Sequence, residues 1–492
     1  MITATPTQNS SLKADYNLGY VWLISVVAAM GGLLFGWDWV VIGGAKPFFE
    51  SFFNLPSIAQ VLNQYGVLRV LGLGTTAGVS GFANSCALIG CLFGALAVGG
   101  LSDKLGRKRL LILAALIFAV TSVGNALANS FTVFIAWRIF GGVAIGLASS
   151  LSPMYIAEIA PAQMRGKLVA INQLTVVIGI LLAQYINWFL GRDLPTGASV
   201  DFIRNSWFGQ QGWRWMFGLT AIPALFFFAG MFLVPESPRW LAKNGKLNSA
   251  RQVLEKIGGA DYAHAATAEI QSTLSAEEIQ KVRFADLLDP KMYKVIMLGV
   301  VLAVFQQWCG INVIFNYAQE IFHKAGYDIS SVLKNIAWTG SVNLVFTLFA
   351  LKIVDRGGRR SLMLFGSAAL AVIYTALGFG YYCGVQGLPM LLLVLAAIGA
   401  YAMSLAPVTW VVISEIFPNR IRGAAMAVAV SSLWLACFIL VYTFPLLNSW
   451  LGSAGTFWLY GAICVAGFIF ILFKLPETKG KSLEQLEKEL VN

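Results

Sequence analysis

Twelve long apolar runs decide what this chain can fold into. They cover 19–45, 80–101, 110–128, 131–152, 168–190 and 214–234, then 293–322, 332–354, 361–383, 389–413, 423–446 and 455–474. Each is close to the roughly 20 mostly apolar residues with which a helix crosses the hydrocarbon layer of a bilayer. Barrel strands would be about half as long and would alternate apolar with polar residues. A helix also satisfies its own backbone hydrogen bonds where no water can do so. The expected fold is an all-α integral membrane protein. Composition agrees: 58% of residues are hydrophobic and 12% charged, against about 45–50% and about 25% in a soluble domain.

The runs form two sets of six. Between them lies a polar stretch, 235–292, holding Lys246-Leu247-Asn248-Ser249-Ala250-Arg251 and Ser275-Ala276-Glu277-Glu278, which reads as short amphipathic helices on a membrane surface. The expected order is a polar segment 1–18, a bundle 19–234, the linker 235–292, a bundle 293–474 and a tail 475–492. Residues 1–18 lack the charged-then-apolar build of a signal peptide. Short phrases recur between the halves. Asp103-Lys104-Leu105-Gly106-Arg107-Lys108 returns as Asp355-Arg356-Gly357-Gly358-Arg359-Arg360. Glu158 with Arg165-Gly166 returns as Glu415 with Arg422-Gly423, and Pro235-Glu236-Ser237 as Pro476-Glu477-Thr478. Repeats of membrane segments are a common build of transporters, whose substrate lies between the repeats.

The formal net charge of +11 does not point to nucleic acid, because the charges sit in short clusters between apolar runs, as topology-setting loops do. Counting Lys and Arg, the side that holds both termini carries 26 and the other side 7. Basic loops stay in the cytoplasm, so both termini are expected there. Residues 46–79 then form an external loop. The repeated phrases fall at cytoplasmic ends. In each Asp-[Lys/Arg]-x-Gly-Arg-[Lys/Arg] phrase the glycine allows a tight turn and the aspartate faces a helix end and basic partners. Each Glu-x6-Arg can bridge two helices. Topology signalling alone would explain these charges, but their repetition favours a cytoplasmic gate. Its members are Asp103, Arg107, Glu158, Arg165, Glu236 and Arg239, then Asp355, Arg359, Glu415, Arg422 and Glu477. The six cysteines lie in apolar runs without metal-ligand spacing, and there are two histidines. No metal, cofactor or disulfide frame is expected, and no nucleophile–base pair suggests an enzyme.

Two ionisable residues lie deep in the apolar runs, Asp38 and Arg138. A lone charge at the middle of the bilayer costs at least about 2.5–3.5 kcal/mol, so such residues pair, and they often mark a proton or substrate path. Asp38 can take a proton and Arg138 stays charged; a static buried pair is the alternative. Amides form a second group: Gln173, Gln306, Gln307, Asn312 and Asn343, with Trp410 in the tenth run. On an ideal helix Gln307 and Asn312 point about 140° apart. They converge only if the helix loosens at Gly310, which lies between them. One amide would be interhelical glue. Several amides with an indole suit a ligand rich in hydroxyl groups.

At these residues the chain resembles the sugar porter family of the major facilitator superfamily, from about Gly31 to Glu484. The motifs are Pro235-Glu236-Ser237-Pro238-Arg239-Trp240-Leu241, Gln306-Gln307-x2-Gly310-Ile311-Asn312, Pro476-Glu477-Thr478-Lys479-Gly480 and both glycine-arginine loops. The resemblance implies twelve helices in two six-helix bundles around a central cavity, working by alternating access. It implies sugar contacts from Gln173, Gln306, Gln307, Asn312, Asn343 and Trp410, with Phe35 and Trp434 lining the cavity. Asp38 matches the aspartate of proton-coupled members, where facilitators carry a neutral residue, and Arg138 matches its partner. Four positions depart from a proton-coupled pentose carrier. Ile180 and Leu433 replace glutamines, Asn316 replaces the first of two tyrosines of which Tyr317 is kept, and Thr220 stands in place of an auxiliary carboxylate. The first two make the cavity less polar, so a hexose fits as well as a pentose. The expected protein is a monomeric sugar–proton symporter of a bacterial inner membrane. The alternatives are a facilitator and, remotely, a sugar sensor.

Overall fold

The computed structural model describes residues 16–195, 197–279, 289–418, 421–479 and residues 485, 486 and 489. The segment up to residue 15, linker residues 280–288, most of the tail beyond 479 and the side chain of Asp355 lie outside the described residues. Among the described residues, eleven helices are long and apolar enough to cross a membrane. The first six are α1 (Leu18–Phe53), α2 (Thr76–Leu105), α3 (Arg107–Leu127), α4 (Phe131–Ile159), α5 (Arg165–Gly191) and α6 (Phe208–Leu233). After the linker come α7 (Pro290–Asn316), α8 (Ile329–Gly357), α9 (Arg359–Tyr382), α10 (Leu388–Ile416) and α11 (Arg422–Lys474). At 53 residues α11 is too long for one crossing, and Gly452 turns it with φ 68° and ψ 174°. Its two parts are the eleventh and twelfth apolar runs.

Most helices outrun their apolar stretches because a helix end can carry polar residues into the interface; α7 instead stops at Asn316, short of the expected 322, and Ala318–Lys324 forms a separate helix. The difference is largest in α1, which was expected to end at residue 45. It continues through Pro47 to Phe53, so Lys46 and Glu50 are helical and not part of an external loop. The chain then forms two short helices, Leu55–Leu62 and Gly66–Val70, before α2. Helix starts follow capping chemistry. Thr75 accepts from Gly78 N–H before α2, Ser130 from Val133 N–H before α4, and Asp289 from Lys291 N–H before Pro290.

Within the first half α1 packs on α5, α2 on α4, and α3 on α4; in the second, α9 and α7 pack on α11. Small residues set the closest approaches. A Cβ on Gly36 would collide with the Val176 carbonyl, and one on Gly142 with the Ala87 carbonyl. The halves meet through α2 against α11 and α5 against α8. The linker forms a short helix, Pro238–Lys243, and a longer one, Leu247–Ile279, kinked at Gly258 and Gly259. It packs against the residues just before α1, where Asn17 N–H donates to the Ile257 carbonyl at 2.9 Å and the Tyr16 and Tyr262 rings lie 5.4 Å apart.

Candidate functional site

The paired charge comes from α1 and α4. Arg138 Nη1 donates to both carboxylate oxygens of Asp38, at 2.9 and 3.0 Å. Asp38 is 7% exposed and Arg138 2%. The Phe217 ring lies 5.3 Å from the guanidinium. Burial of this depth is tolerated only because each charge has the other. A narrow cavity reaches the pair, lined by Asp38, Asn84 and Arg138 of the first half and by Asn316 of the second.

The amides gather where α7 breaks. Gly310 has φ 87°, and a Cβ there would press on the Tyr460 ring. The chain stops being helical at Cys309 and restarts at Ile311. This break supplies the loosening that the sequence required. Asn312 Nδ2 donates to Gln307 Oε1, Gln307 Nε2 to Gln306 Oε1 at 2.6 Å, and Gln306 Nε2 to the Tyr401 hydroxyl at 2.8 Å. Asn316 Nδ2 extends the chain to the Asn312 carbonyl at 2.8 Å. Gln306, Gln307, Asn312 and Asn316 are all buried. Asn343 is buried on α8, Gln173 half-buried on α5, and Trp410 exposed at 38% on α10. Among the described residues, no hydrogen bond links these three to the amide chain. Tyr401 was not expected; a tyrosine in a long apolar run carries no signal of its partner.

Apolar side chains close the space between halves. Phe35 and Trp39 of α1 lie 6.0 and 5.9 Å from Trp434 of α11, ring to ring. Ile180 and Leu433 are buried. Tyr317 is buried, donates to the Val441 carbonyl at 2.7 Å and packs on Phe444. Trp434 Nε1 is buried without a partner among the described residues, as is Thr220 Oγ1.

The repeated phrases converge at the end of each half that holds the termini, in an arrangement the sequence did not give. In the first half Gly106 has φ 93°, and its missing Cβ leaves room for the Glu236 carboxylate. Glu236 accepts from Arg107 and Lys108 N–H at 3.0 and 3.1 Å, and so caps α3. In the second half Gly358 has φ 78°, and Glu477 accepts from Arg359 and Arg360 N–H at 2.8 and 3.2 Å, capping α9. Burial alone would raise the Glu477 carboxyl. The backbone N–H groups of Lys479, Arg359, Arg360 and Thr478 outweigh it and hold the group below its usual value. The helix-capping carboxylate is thus the glutamate of the Pro-Glu phrase, not Asp103. Asp103 does meet the expected basic partners, Lys243 Nζ at 2.8 Å and Arg107 at 3.4 Å.

The expected Glu-x6-Arg bridges are also replaced. Glu158 pairs with Arg107 at 2.9 Å and takes the Ser237 hydroxyl. Arg165, at the first residue of α5, is exposed and takes no part in this cluster among the described residues. Glu415 pairs with Arg359 at 3.4 Å, and Arg422 donates to the Phe417 carbonyl at 3.2 and 3.3 Å. Loop arginines win because the capped turn sets them at the start of α3 and α9, beside the ends of α4 and α10. Arg239 lies on the short linker helix.

Contacts joining the halves collect at the opposite end. Lys46 bridges to Glu320, Gln184 Nε2 donates to Thr339 at 3.3 Å, the Tyr185 and Ser341 hydroxyls meet at 3.2 Å, and Ser330 donates to the Arg192 carbonyl at 3.0 Å. At the terminus end, Gly166 and Gly423 both face open space.

Two helical halves that enclose a buried ion pair and an amide chain, with hydrogen bonds and an ion pair between them at the end away from the termini, define a membrane transporter. The model for the family "Sugar (and other) transporter" matches residues 24–490, and the chain belongs to that family. It is 39% identical to the D-xylose-proton symporter of Escherichia coli (strain K12), covering 97% of each chain. It is 36% identical to the glucose transport protein of Synechocystis sp., covering 98% of this chain and 99% of that one. The structure is similar to the partially occluded inward open conformation of the E. coli xylose transporter, with a TM-score of 0.80, 35% identity, and 94% of this chain and 100% of that one covered.

Proposed function

We propose that the protein takes up a monosaccharide, pentose or hexose, together with a proton, by alternating access. The observation that carries this reading is the Asp38–Arg138 pair, buried at 2.9 Å beside a cavity that Asn316 of the other half also lines. A proton on Asp38 cancels one charge of the pair and leaves Arg138 to find other partners, so protonation changes which arrangement of the halves is favoured. The amide chain from Tyr401 to Asn316 binds the sugar by exchanging its internal hydrogen bonds for sugar hydroxyls, with Gln173, Asn343 and Trp410 closing on it from other helices. The moving units are 19–234 and 293–474, tethered by 235–292, in an inner membrane with both termini cytoplasmic. The family name, the relatives' printed substrates and the intact aspartate support the coupled reading. Ile180 and Leu433 support a cavity that also accepts a hexose.

The test is proton movement itself. Sugar added to de-energised, weakly buffered cells expressing the protein should make the medium more alkaline. Uptake with no pH change would select the facilitator reading.

A further inference from the structure

The coupling pair leaves a second buried charge cluster unused. Lys46 is 3% exposed on α1. Its ammonium bridges to Glu320, on the short helix Ala318–Lys324 of the second half, and lies 3.3 Å from Glu50, four residues along its own helix. Glu50 also accepts from the Ser80 hydroxyl of α2 at 2.6 Å. The Tyr317 ring lies 5.4 Å beneath the ammonium. Nearby, Arg204 donates to the Ser51 carbonyl at 2.9 Å, while His323 and Lys324 follow Glu320 on its helix and are exposed. One ammonium therefore serves two carboxylates: one on its own half, which it can never leave, and one across the boundary.

We propose that the Lys46–Glu320 bridge is a proton-released bolt on the outer gate, with Glu50 as the resting partner of Lys46 when the bolt is drawn. The inference rests on alternating access as proposed above. Breaking a buried ion pair is costly when it strands a charge. Here it strands none on the lysine, because Glu50 stays within reach through every movement of the halves. The other charge, on Glu320, is cancelled by a proton. The Glu320 and Glu50 side chains are 26% and 24% exposed, so a proton can reach either; on Glu320 it frees the bolt, and on Glu50 it leaves Lys46 held to Glu320. A proton from outside would thus unlock the outer mouth before it reaches Asp38, and the outward-facing state would form where protons are plentiful.

The arrangement predicts opposite effects from two near-identical changes. Glu320→Gln removes the bridge across the boundary. Glu50→Gln leaves Lys46 to Glu320 alone and keeps the bolt shut. The experiment measures distances between spin labels on Val67→Cys and Leu388→Cys, which are 76% and 61% exposed on the two halves at this end. Cys383→Ser removes the one exposed cysteine among the described residues. Asp38→Asn and His323→Gln in the background remove two further titrating groups, and the Glu50→Gln arm reads the third. In nanodiscs near neutral pH, Glu320→Gln should raise the long-distance population at least about fivefold, the factor that about 1 kcal/mol gives. Glu50→Gln should not raise it. Acid should raise it in the parent and leave Glu320→Gln unmoved. If Glu320→Gln misfolds, Lys46→Met is the substitute, with the same expectation near neutral pH. Equal distributions in parent and Glu320→Gln, or an equal response to acid in both, would overturn the bolt. If added D-xylose or D-glucose lengthens the distances while these variants and acid do not, the bolt alone fails. If nothing moves them, alternating access fails with it.

Discussion

Replacing Asp38 by Asn tests the proposed coupling most directly. The carboxylate accepts two hydrogen bonds from Arg138 Nη1, at 2.9 and 3.0 Å. Arg138 is 2% exposed, and its Nε already lacks a partner among the described residues. An asparagine oxygen replaces one acceptor without the charge. Leaving the guanidinium buried and unneutralised costs about 3–5 kcal/mol. Asparagine also cannot alternate between charged and neutral, so no proton is carried. One charge crossing 100 mV contributes about 2.3 kcal/mol, which supports roughly fortyfold accumulation at about 1.4 kcal/mol per tenfold. In energised vesicles Asp38→Asn should bring that ratio to about one while exchange of labelled sugar across the membrane persists. Asp38→Asn/Arg138→Gln should recover most of the lost thermal stability in detergent, because no charge is left stranded, and should still not accumulate. A single mutant that concentrates sugar would refute the coupling role. A double mutant no more stable than the single would refute the stranded-charge argument.

Gln307→Ala removes the middle of the amide chain and should weaken sugar binding by calorimetry more than about tenfold, a loss of roughly 1.4 kcal/mol. Gly36→Ala puts a methyl group into the Val176 carbonyl; overpacking of this kind costs about 1–3 kcal/mol, and the variant should melt earlier and transport poorly, while Gly166→Ala, facing open space, should do neither. Glu477 is held below its usual value of 4.5, so its cap stabilises the folded protein above that value and is lost as pH falls through its lower folded value. Hydrogen exchange in the first turn of α9 should therefore stay slow down to about pH 5 and speed up below the usual carboxylate range, about 4.3; in Glu477→Gln it should be fast throughout.

The spans were legible because crossing a bilayer imposes a length and a composition on each helix separately. The break in α7 was legible too, since two amides on opposite faces with a glycine between them are informative within one segment. The Asp38–Arg138 pair was legible as well, because each deep charge has only the other to meet; what remained hidden was pairing between segments at the helix ends. The apolar run ends at residue 45 and so leaves Lys46 in a loop, although Lys46 and Glu50 stand four residues apart, as on a helix. Spacing points Glu158 to the nearest downstream arginine, yet the capped turn at Gly106 brings Arg107 there from another helix. Tyr401, one hydroxyl in an apolar run, gave no hint that it ends the amide chain. Charge counting likewise finds which end of a helix is basic and says nothing of which acid it meets.

The caps on α3 and α9 have a consequence for how the chain is made. Glu236 lies just beyond the sixth apolar run, yet it closes the turn between the second and third. A ribosome that has delivered the third run has not yet made the residue that seals its start. The first half can therefore close its ion cluster only after all six of its helices have emerged, and Glu477 sets the same condition for the second half. Each Pro-Glu phrase is therefore made after the turn that it caps, so truncation just before residue 236 should leave a six-helix fragment that inserts but stays open to protease at the Gly106 turn.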